Sequence, residues 1–269
     1  MDHSDVVAAI ASRYSTNAEA YRKHFAPVLA GAGRRLLEWA GIAGGDRVLD
    51  LGTGVGTLLP ELAMRAPGAT VVGADRAEGM IRLAPTSFPR VVLDAARLSF
   101  HEDVFDTVAM AFMLFHVPEP EAALAEVRRV LRPGGVLALA TWQADGEEWI
   151  ADTIWTEELD THGAEPVDFL ASRHDLMDTP AKVVELLESV GFCDVETEVS
   201  PVVDAMDVDE FLARRTGMGL AARRFRSMAP DAQRTCLQSV RARLDSLSDE
   251  EMSSRGTAIL TRATNIPDS

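Results

Sequence analysis

The chain has 269 residues, a formal net charge of −16 and only two cysteines. This length suits one large α/β domain, which can bury its core without disulfides or structural metals. The charge argues against a nucleic-acid partner, because such proteins bind phosphates through lysine and arginine. We expect a cytoplasmic protein that does not enter a membrane: the N-terminus lacks the basic region of a secretory signal, and no apolar stretch is long enough to span a bilayer.

Apolar periodicity predicts the order of the elements. Residues 1–44 are predicted to be helical, since apolar residues recur there at three- and four-residue spacing. Beyond them, buried strands alternate with amphipathic helices. The strands read VLDLG (48–52), ATVVGAD (69–75), RVVLDA (90–95), FDTVAMAF (105–112) and VLALATW (136–142). This alternation predicts a mostly parallel sheet with helices on both faces.

The alternation stops at residues 143–178. With Trp142 just before it, this acidic segment brings three of the four tryptophans within fourteen residues. Regularity returns with a helix that Thr179 caps and Gly191 ends. A strand, two helices at about 208–228 and 231–247, and a last strand at 256–264 complete the chain. The arginine-rich helix at 214–226 is flanked by acids and is interpreted as a solvated face.

The stretch VLDLGTGVGT, residues 48–57, places three alternating glycines after the first strand. A P-loop is excluded, because no lysine follows the last glycine. The dinucleotide fingerprint G-x-G-x-x-G requires a third glycine where this chain has Thr57. An acid, Asp50, also stands inside the end of the strand. These two departures weaken a dinucleotide interpretation.

Three acids end three successive strands. Asp50 lies beside the glycine turn and suits an ammonium or a sulfonium group, Asp75 can accept both hydroxyls of a ribose, and Asp94 can accept from an adenine amino group. Each alone could be an ordinary strand-end cap. As an ordered set they would span an adenosine and its amino-acid tail at the carboxyl edge of the sheet.

At about residues 40–142 the chain resembles the class I S-adenosylmethionine-dependent methyltransferases. The resemblance rests on VLDLGTGVG, VVGADRAEGMIRLA, LDAARLSF, FDTVAMAFMLFHVPEP and LAEVRRVLRPGGVLALATW, in that order. The last motif is typical of the small-molecule subgroup that includes quinone and natural-product biosynthesis. The resemblance implies a Rossmann-like α/β fold, whose seven-stranded, mostly parallel sheet ends in an antiparallel strand. It also implies S-adenosylmethionine as cofactor, with S-adenosylhomocysteine as product.

The predicted organisation is a single methyltransferase domain over 1–269. Residues 1–44 would be an N-terminal helical cover, 45–142 the cofactor-binding core, 143–178 a substrate cap, and 179–269 the rest of the sheet with a helical insertion. The motifs and the resemblance imply a set of cofactor-binding residues: Tyr21, Asp50, Gly52, Thr53, Gly54, Gly56, Asp75, Arg76, Met80, Asp94, Ala95, Ala111 and Phe112.

Methyl transfer is an in-line displacement that requires alignment and exclusion of water, and it needs a base only when the acceptor must lose a proton. The best-placed candidate base is His116, just past the strand that ends near Phe112; a structural turn contact is the alternative. The predicted substrate-pocket residues are Phe115, His116, Trp142, Trp149, Trp155, Phe169 and Met177. These could instead anchor the 143–178 segment to the body of the protein.

We therefore expect a methyltransferase that acts on an O, N or C atom of a small, apolar or aromatic metabolite. No metal-ligand array and no cationic cluster is visible, so divalent metals and phosphorylated substrates are disfavoured. The same cofactor site could instead serve cyclisation, decarboxylation or hydroxylation. A metabolite sensor and a nicotinamide-dependent dehydrogenase rank lower. A homodimer is possible.

Overall fold

The computed structural model describes residues 3–42, 45, 47–144, 148–167 and 173–266. The strands in these residues are β1 (Arg47–Leu51), β2 (Thr70–Asp75), β3 (Arg90–Val92), β4 (Phe105–Ala111), β5 (Leu131–Trp142), β6 (Phe192–Asp204) and β7 (Ser254–Asn265). The α-helices are α1 (His3–Thr16), α2 (Ala18–His24), α3 (Ala26–Trp39), α4 (Leu59–Arg65), α5 (Glu78–Leu83), α6 (Pro120–Val130), α7 (Ile150–Thr161), α8 (Pro180–Ser189), α9 (Val208–Gly217), α10 (Gly219–Ser227), α11 (Pro230–Leu244) and α12 (Asp249–Met252).

All seven strands form one sheet in the order β3-β2-β1-β4-β5-β7-β6. The pairs from β3 to β5 are parallel, whereas β7 runs antiparallel to both β5 and β6. The prediction of a seven-stranded sheet with an antiparallel last strand is therefore confirmed. Because β1 lies between β2 and β4, the order of the strands reverses there, and a crevice opens outside their carboxyl ends.

The main core consists of the apolar central strands and the helices that pack on them. Every residue of β4 except Ala111 is buried, as expected for a parallel strand covered on both faces. From the helices, α3 contributes the fully buried Leu36 and Leu37, and α6 contributes its predicted stripe, including Leu124 and Val127. None of the helices described here has the length and apolar character needed to cross a membrane.

A second hydrophobic core joins α7 to the helices that lie between β6 and β7. Trp155 of α7 packs there with Phe211 of α9, Phe225 of α10 and Cys236 of α11. The prediction of one helix over 208–228 is wrong. The chain breaks between α9 and α10 because Met218 is extended and Gly219 has a φ of +84°, a conformation that favours glycine.

Two further contacts fix the parts that surround the crevice. The β6–β7 ladder runs from the pair Phe192–Asn265 to the pair Asp204–Ser254, so the helical insertion begins and ends at neighbouring residues. At the N-terminus, α1 packs on α5, where the Gly79 amide donates to Ser15 Oγ at 3.1 Å. A Cβ on Gly79 would lie 2.4 Å from the Ser15 carbonyl oxygen. That glycine therefore allows the two helices to approach closely.

Candidate active site

The glycine turn follows β1 and is hydrogen-bonded to the end of β2. The amides of Gly52 and Thr53 both donate to the Ala74 carbonyl, at 2.8 and 3.0 Å. Gly52 and Gly54 have positive φ values, +77° and +56°, and both line a cavity. Gly56 also has a positive φ. A Cβ on Gly56 would lie 2.6 Å from Cδ of Pro85, so this glycine leaves room for the proline. The structure thus places two of the three glycines at the cavity, while Gly56 serves packing.

Asp75, at the end of β2, holds the turn with both carboxylate oxygens. Oδ2 accepts from the Gly54 amide and Oδ1 from the Ala77 amide, each at 2.8 Å. Burial raises the pKa of Asp75, although these backbone donors oppose the shift. The carboxylate faces the same cavity as Gly54, so it can stiffen the turn and also accept hydrogen bonds from a ligand.

Asp94 lies just beyond β3, beside the side chain of Arg76. Its Oδ2 is 3.2 Å from Nη1 of Arg76, and its Oδ1 accepts from the Ala96 amide at 3.0 Å. Asp94, Ala95 and Arg76 line the cavity together with the buried Met80. This end therefore combines an apolar slot with one polar acceptor.

Asp50 is buried in β1, with an exposed fraction of 2%. Thr53 Oγ1 donates to its Oδ2 at 2.6 Å. Burial raises the pKa of Asp50 to about 7, against the lowering effect of that hydrogen bond. Both residues line a small cleft beside the glycine turn, called here the Asp50 cleft, which Tyr21 and Phe112 also border. A buried acid with few donors is stabilised in its charged form by a cationic neighbour.

Most of the predicted cofactor-binding residues share the cavity at the glycine turn, called here the glycine-turn cavity. Its empty space, part of which is open to solvent, amounts to about 880 Å³. The predicted residues that line it are Tyr21, Gly52, Gly54, Asp75, Arg76, Met80, Asp94, Ala95, Ala111 and Phe112. Asp50 and Thr53 line the Asp50 cleft instead, and Gly56 lines neither. In the described part of the chain, no three side chains are grouped to hold a metal ion.

A second and larger cavity, called here the aromatic cavity, has about 1550 Å³ of empty space, part of which is open to solvent. Four of the predicted substrate residues line it: Phe115, His116, Trp142 and Trp149. Much of the remaining wall comes from α1, α2, α3, α9, α10, the facing ends of β6 and β7, and residues that join these elements, including Phe25 and Met218. The prediction of an aromatic-lined pocket thus agrees with this cavity, although the 143–178 segment supplies only part of the wall.

Two predicted pocket residues lie elsewhere. Trp155 is 1% exposed and fills the second core, because it lies on the buried stripe of α7. Met177 is fully buried in the main core, beside the sheet. Neither lines the aromatic cavity, so these two pocket predictions are wrong. Phe169 lies outside the described residues.

The interpretation of 214–226 as a solvated face is wrong for its first two arginines. Arg214 and Arg215 both line the aromatic cavity. Arg214 forms ion pairs with Asp204 and Glu210, and Arg215 pairs with Asp152 at 2.8 Å. No cationic cluster is visible in the sequence, yet the fold brings these two guanidinium groups to the same cavity. The contacts that bring them there are made by tertiary packing.

His116 ends a short 3-10 helix, Leu114–His116, that follows β4. Its Nε2 lies 2.8 Å from the Tyr14 hydroxyl, which reaches it from α1. Burial lowers the pKa of His116 to about 4, assisted by the nearby charge of Arg13. Burial also raises the pKa of Tyr14. At neutral pH the pair is therefore an uncharged imidazole beside an uncharged phenol.

The two cavities meet at a common wall. Tyr14, Tyr21, Phe112 and His116 line both of them. Phe112 has a φ of +55°, a strained conformation for a bulky residue. Its amide donates to the Ala140 carbonyl at 2.8 Å, and its ring lies 4.6 Å from that of Trp142. These contacts maintain the strained conformation, which places an aromatic ring at the junction of the two cavities.

Sequence reasoning missed Tyr14 and Arg215. Each side chain comes from a helix far along the chain from the glycine turn, and no local spacing links either residue to it. Tyr14 stands seven residues before Tyr21, but the two lie on separate helices, α1 and α2, so the packing of those helices brings them together. Their rings are 6.0 Å apart.

Comparison with known proteins agrees with this architecture. Residues 49–139 match the family described as Methyltransferase domain. A demethylmenaquinone methyltransferase of Mycolicibacterium paratuberculosis is 39% identical over 120 residues, which are 44% of this chain and 51% of that relative. The match thus spans about half the length of the relative.

Solved structures extend the likeness beyond the matched segment. Phosphoethanolamine N-methyltransferase 2 of Haemonchus contortus, in complex with phosphomonomethylethanolamine and S-adenosylhomocysteine, has a TM-score of 0.55 at 17% identity, covering 94% of this chain and 58% of that one. The cyclase SpnF has a TM-score of 0.53 at 19% identity, covering 88% and 81%. At these identities the likeness is one of fold. Residues 49–139 thus match the Methyltransferase domain family, and the sheet in which they lie has the fold of a methyltransferase of known structure.

Proposed function

We propose that the protein transfers a methyl group from S-adenosylmethionine to an O, N or C atom of a small, apolar or aromatic acceptor. The observation that carries this proposal is the wall shared by the two cavities. A cofactor in the glycine-turn cavity and an acceptor in the aromatic cavity would face each other beside Phe112 and His116. Such an arrangement favours an in-line displacement.

The residues around the glycine turn fit this cofactor. Asp50 offers a buried carboxylate that gains from a cationic amino-acid end, since burial alone raises its pKa to about 7. Asp75 suits the ribose hydroxyls, and Asp94 with the apolar Met80 and Ala95 suits the adenine. Tyr21 borders every part of this site and would cover the cofactor.

When bound, S-adenosylmethionine supplies an electrophilic methyl carbon on a sulfonium sulfur. The chain's own residues would orient the acceptor and exclude water, through the aromatic side chains of Phe112, Phe115 and Trp142. His116 would accept a proton from an acceptor hydroxyl or amine. Its lowered pKa of about 4 keeps the imidazole unprotonated at neutral pH, and the same shift makes it a weaker base than an exposed histidine.

The class of acceptor is the finer part of the proposal. The relatives named demethylmenaquinone methyltransferase support a flat, quinone-like ring system, which the aromatic lining of the larger cavity also favours. We further propose a single domain in which residues 1–44 cover the cofactor. A cytoplasmic location and the absence of a nucleic-acid partner are proposed from the sequence and the charge.

Calorimetry with S-adenosylmethionine and S-adenosylhomocysteine tests the cofactor. Both should bind, and Asp75→Ala should weaken binding by about tenfold or more, because it removes a charged acceptor. Asp231→Ala, on the exposed surface of α11, is the matched control and should bind as the wild type does. Absence of binding to either ligand would refute the proposal. Formation of S-adenosylhomocysteine during turnover separates methyl transfer from cyclisation, decarboxylation or hydroxylation on the same fold.

A further inference from the structure

The aromatic cavity carries one charge that its own walls do not balance. Arg214 and Arg215 both line it, with Asp204 as the acidic residue in the wall. Arg214 pairs with Asp204, and Glu210 contacts its Nε at 2.7 Å. The Arg214 charge is therefore neutralised within the protein. Arg215 is the other cationic side chain in the wall of the cavity.

Arg215 has a different environment. Its guanidinium carbon lies 5.4 Å from the ring centre of Trp149 and 5.2 Å from that of Phe211. Its one ion pair within the described part of the chain is with Asp152, whose side chain is 49% exposed and does not line the cavity. Burial lowers the pKa of Arg215, and Asp152 opposes the shift. This arginine therefore gains from a second anion.

Its geometry suits a planar anion. A guanidinium that packs its faces against aromatic rings keeps the N–H groups along its edge for hydrogen bonding. Two parallel N–H groups match the two oxygens of a carboxylate. Because Trp149 and Phe211 flank the same position, an aromatic ring that carries the carboxylate would find apolar contacts beside the charge.

We propose that Arg215 binds an acidic group of the acceptor, and that the acceptor is an aromatic carboxylic acid. This inference rests on the proposed function for the role of the cavity. A carboxylate fits better than a phosphate dianion, because the cavity wall offers a single guanidinium, that of Arg215, whose ion-pair partner Asp152 does not line the cavity. Arg215 would then set the orientation of the acceptor ring relative to the shared wall.

The ion pair with Asp152 suggests an alternative to anion binding. In this alternative, Arg215 only stabilises the packing of α9 on α7, which is called here the fastening role. The two roles differ in what Asp152→Asn does. If the pair only fastens the helices, Asp152→Asn and Arg215→Gln should have the same effect on acid binding. If Arg215 is the anion site, Arg215→Gln should weaken acid binding, whereas Asp152→Asn should strengthen it because a competing anion is removed.

The test compares 2-naphthoate with 2-naphthamide, which share a ring system and differ in charge. Calorimetry measures both on the full chain, with and without S-adenosylhomocysteine. The wild type should bind the acid about tenfold more tightly than the amide, the effect expected of a charge-assisted hydrogen bond. Arg215→Gln should abolish that preference. Arg223→Gln, on an exposed face of α10, removes the same charge elsewhere and should keep it.

Equal binding of the two probes to the wild type, or binding of neither, would overturn the proposal. Parallel losses in Arg215→Gln and Asp152→Asn would also overturn it, in favour of the fastening role. Melting temperatures of the variants show whether each one folds. Titration with S-adenosylhomocysteine on the same samples tests the proposed function separately. Loss of cofactor binding would refute that function, whereas an absent acid preference with intact cofactor binding would refute only the role of Arg215.

Discussion

The hydroxyl of Tyr14 lies 2.8 Å from Nε2 of His116, across 102 positions of sequence, and both residues line the two cavities. Because both groups are neutral near pH 7, one hydrogen bond joins the phenol oxygen to the imidazole nitrogen, and the imidazole tautomer sets which of them donates. The phenol thereby fixes the orientation of the ring that we propose as the base. In this arrangement the N-terminal helix α1 belongs to the site as well as covering it.

Tyr14→Phe should lower kcat by about tenfold, because it removes one hydrogen bond that orients His116. The ring remains, so its packing against Tyr21 and the affinity for S-adenosylhomocysteine should change little. Steady-state turnover and calorimetry on the same preparation measure the two effects. An unchanged kcat would show that the hydrogen bond does not contribute to turnover.

The pH dependence of turnover should reflect the lowered pKa of His116. Its neutral form prevails above a pKa of about 4, so kcat at saturating cofactor should show no loss from imidazole protonation between pH 5 and 8. His116→Gln should reduce kcat by about a hundredfold if the acceptor must lose a proton. An acidic limb near pH 6.5 that disappears in His116→Gln would contradict the buried, neutral imidazole.

Asp50 should make the ligand-free protein less stable as the pH rises. Its pKa is raised from 3.8 to about 7, so the folded state binds more protons than the unfolded state in that range, and stability falls as the pH rises through it. Asp50→Asn should therefore raise the free energy of unfolding at pH 8 by on the order of 2–4 kcal/mol.

The same variant should weaken binding of S-adenosylhomocysteine, because the amide carries no charge to meet the ammonium. Urea unfolding at pH 5 and pH 8 measures the free energy of unfolding of both proteins. The increase caused by Asp50→Asn should be smaller at pH 5 than at pH 8. Equal gains at both pH values would rule out titration of Asp50 as the cause.

Gly79→Ala and Gly31→Ala form a matched pair of helical substitutions. At Gly79 the new Cβ would meet the Ser15 carbonyl oxygen at 2.4 Å, whereas at Gly31 nothing lies within 4 Å. Gly31→Ala should stabilise the protein by about 1 kcal/mol through helix propensity. Gly79→Ala should displace α1, which would weaken cofactor binding and expose residues 3–16 to proteases. Equal behaviour of the two variants would contradict the close approach of α1 and α5.

Trp155 and Trp149 should respond differently to truncation. Trp155→Ala should lower the free energy of unfolding by about 3–5 kcal/mol, as for other buried aromatic residues. Trp149→Ala should mainly raise KM for the acceptor, because this ring lines the aromatic cavity. Thermal unfolding and acceptor titrations separate the two. A purely kinetic effect of Trp155→Ala would restore it as a pocket residue.

The convergence of the residues around the glycine turn could be predicted, because these residues follow strand ends. In a parallel sheet the carboxyl ends of neighbouring strands share one edge, so Asp50, Gly54 and Asp75 converge as soon as their strands are recognised. Asp94 converges for the same reason.

The acceptor half could not be predicted in the same way, because its wall is assembled from helices distant in sequence. Arg215 reaches the cavity only when α9 docks on α7, and Tyr14 only when α1 docks on α5. The concentration of tryptophans predicts one pocket, but composition alone does not determine which face of its helix each side chain occupies. The spacing of Ala151, Trp155 and Leu159 does carry that signal, since they form the buried stripe of α7.

The helical insertion begins and ends at one residue pair of the β6–β7 ladder, and this bears on how acceptor preference can change. Residues 205–253 leave and rejoin the sheet at one strand pair, Asp204 and Ser254, while the cofactor residues all precede residue 113. An exchange of that inserted segment would therefore replace the α9 and α10 wall of the aromatic cavity as one cassette. The sheet register and the glycine turn would remain. Variants with different acceptor preferences could therefore keep the same proposed site for the methyl donor.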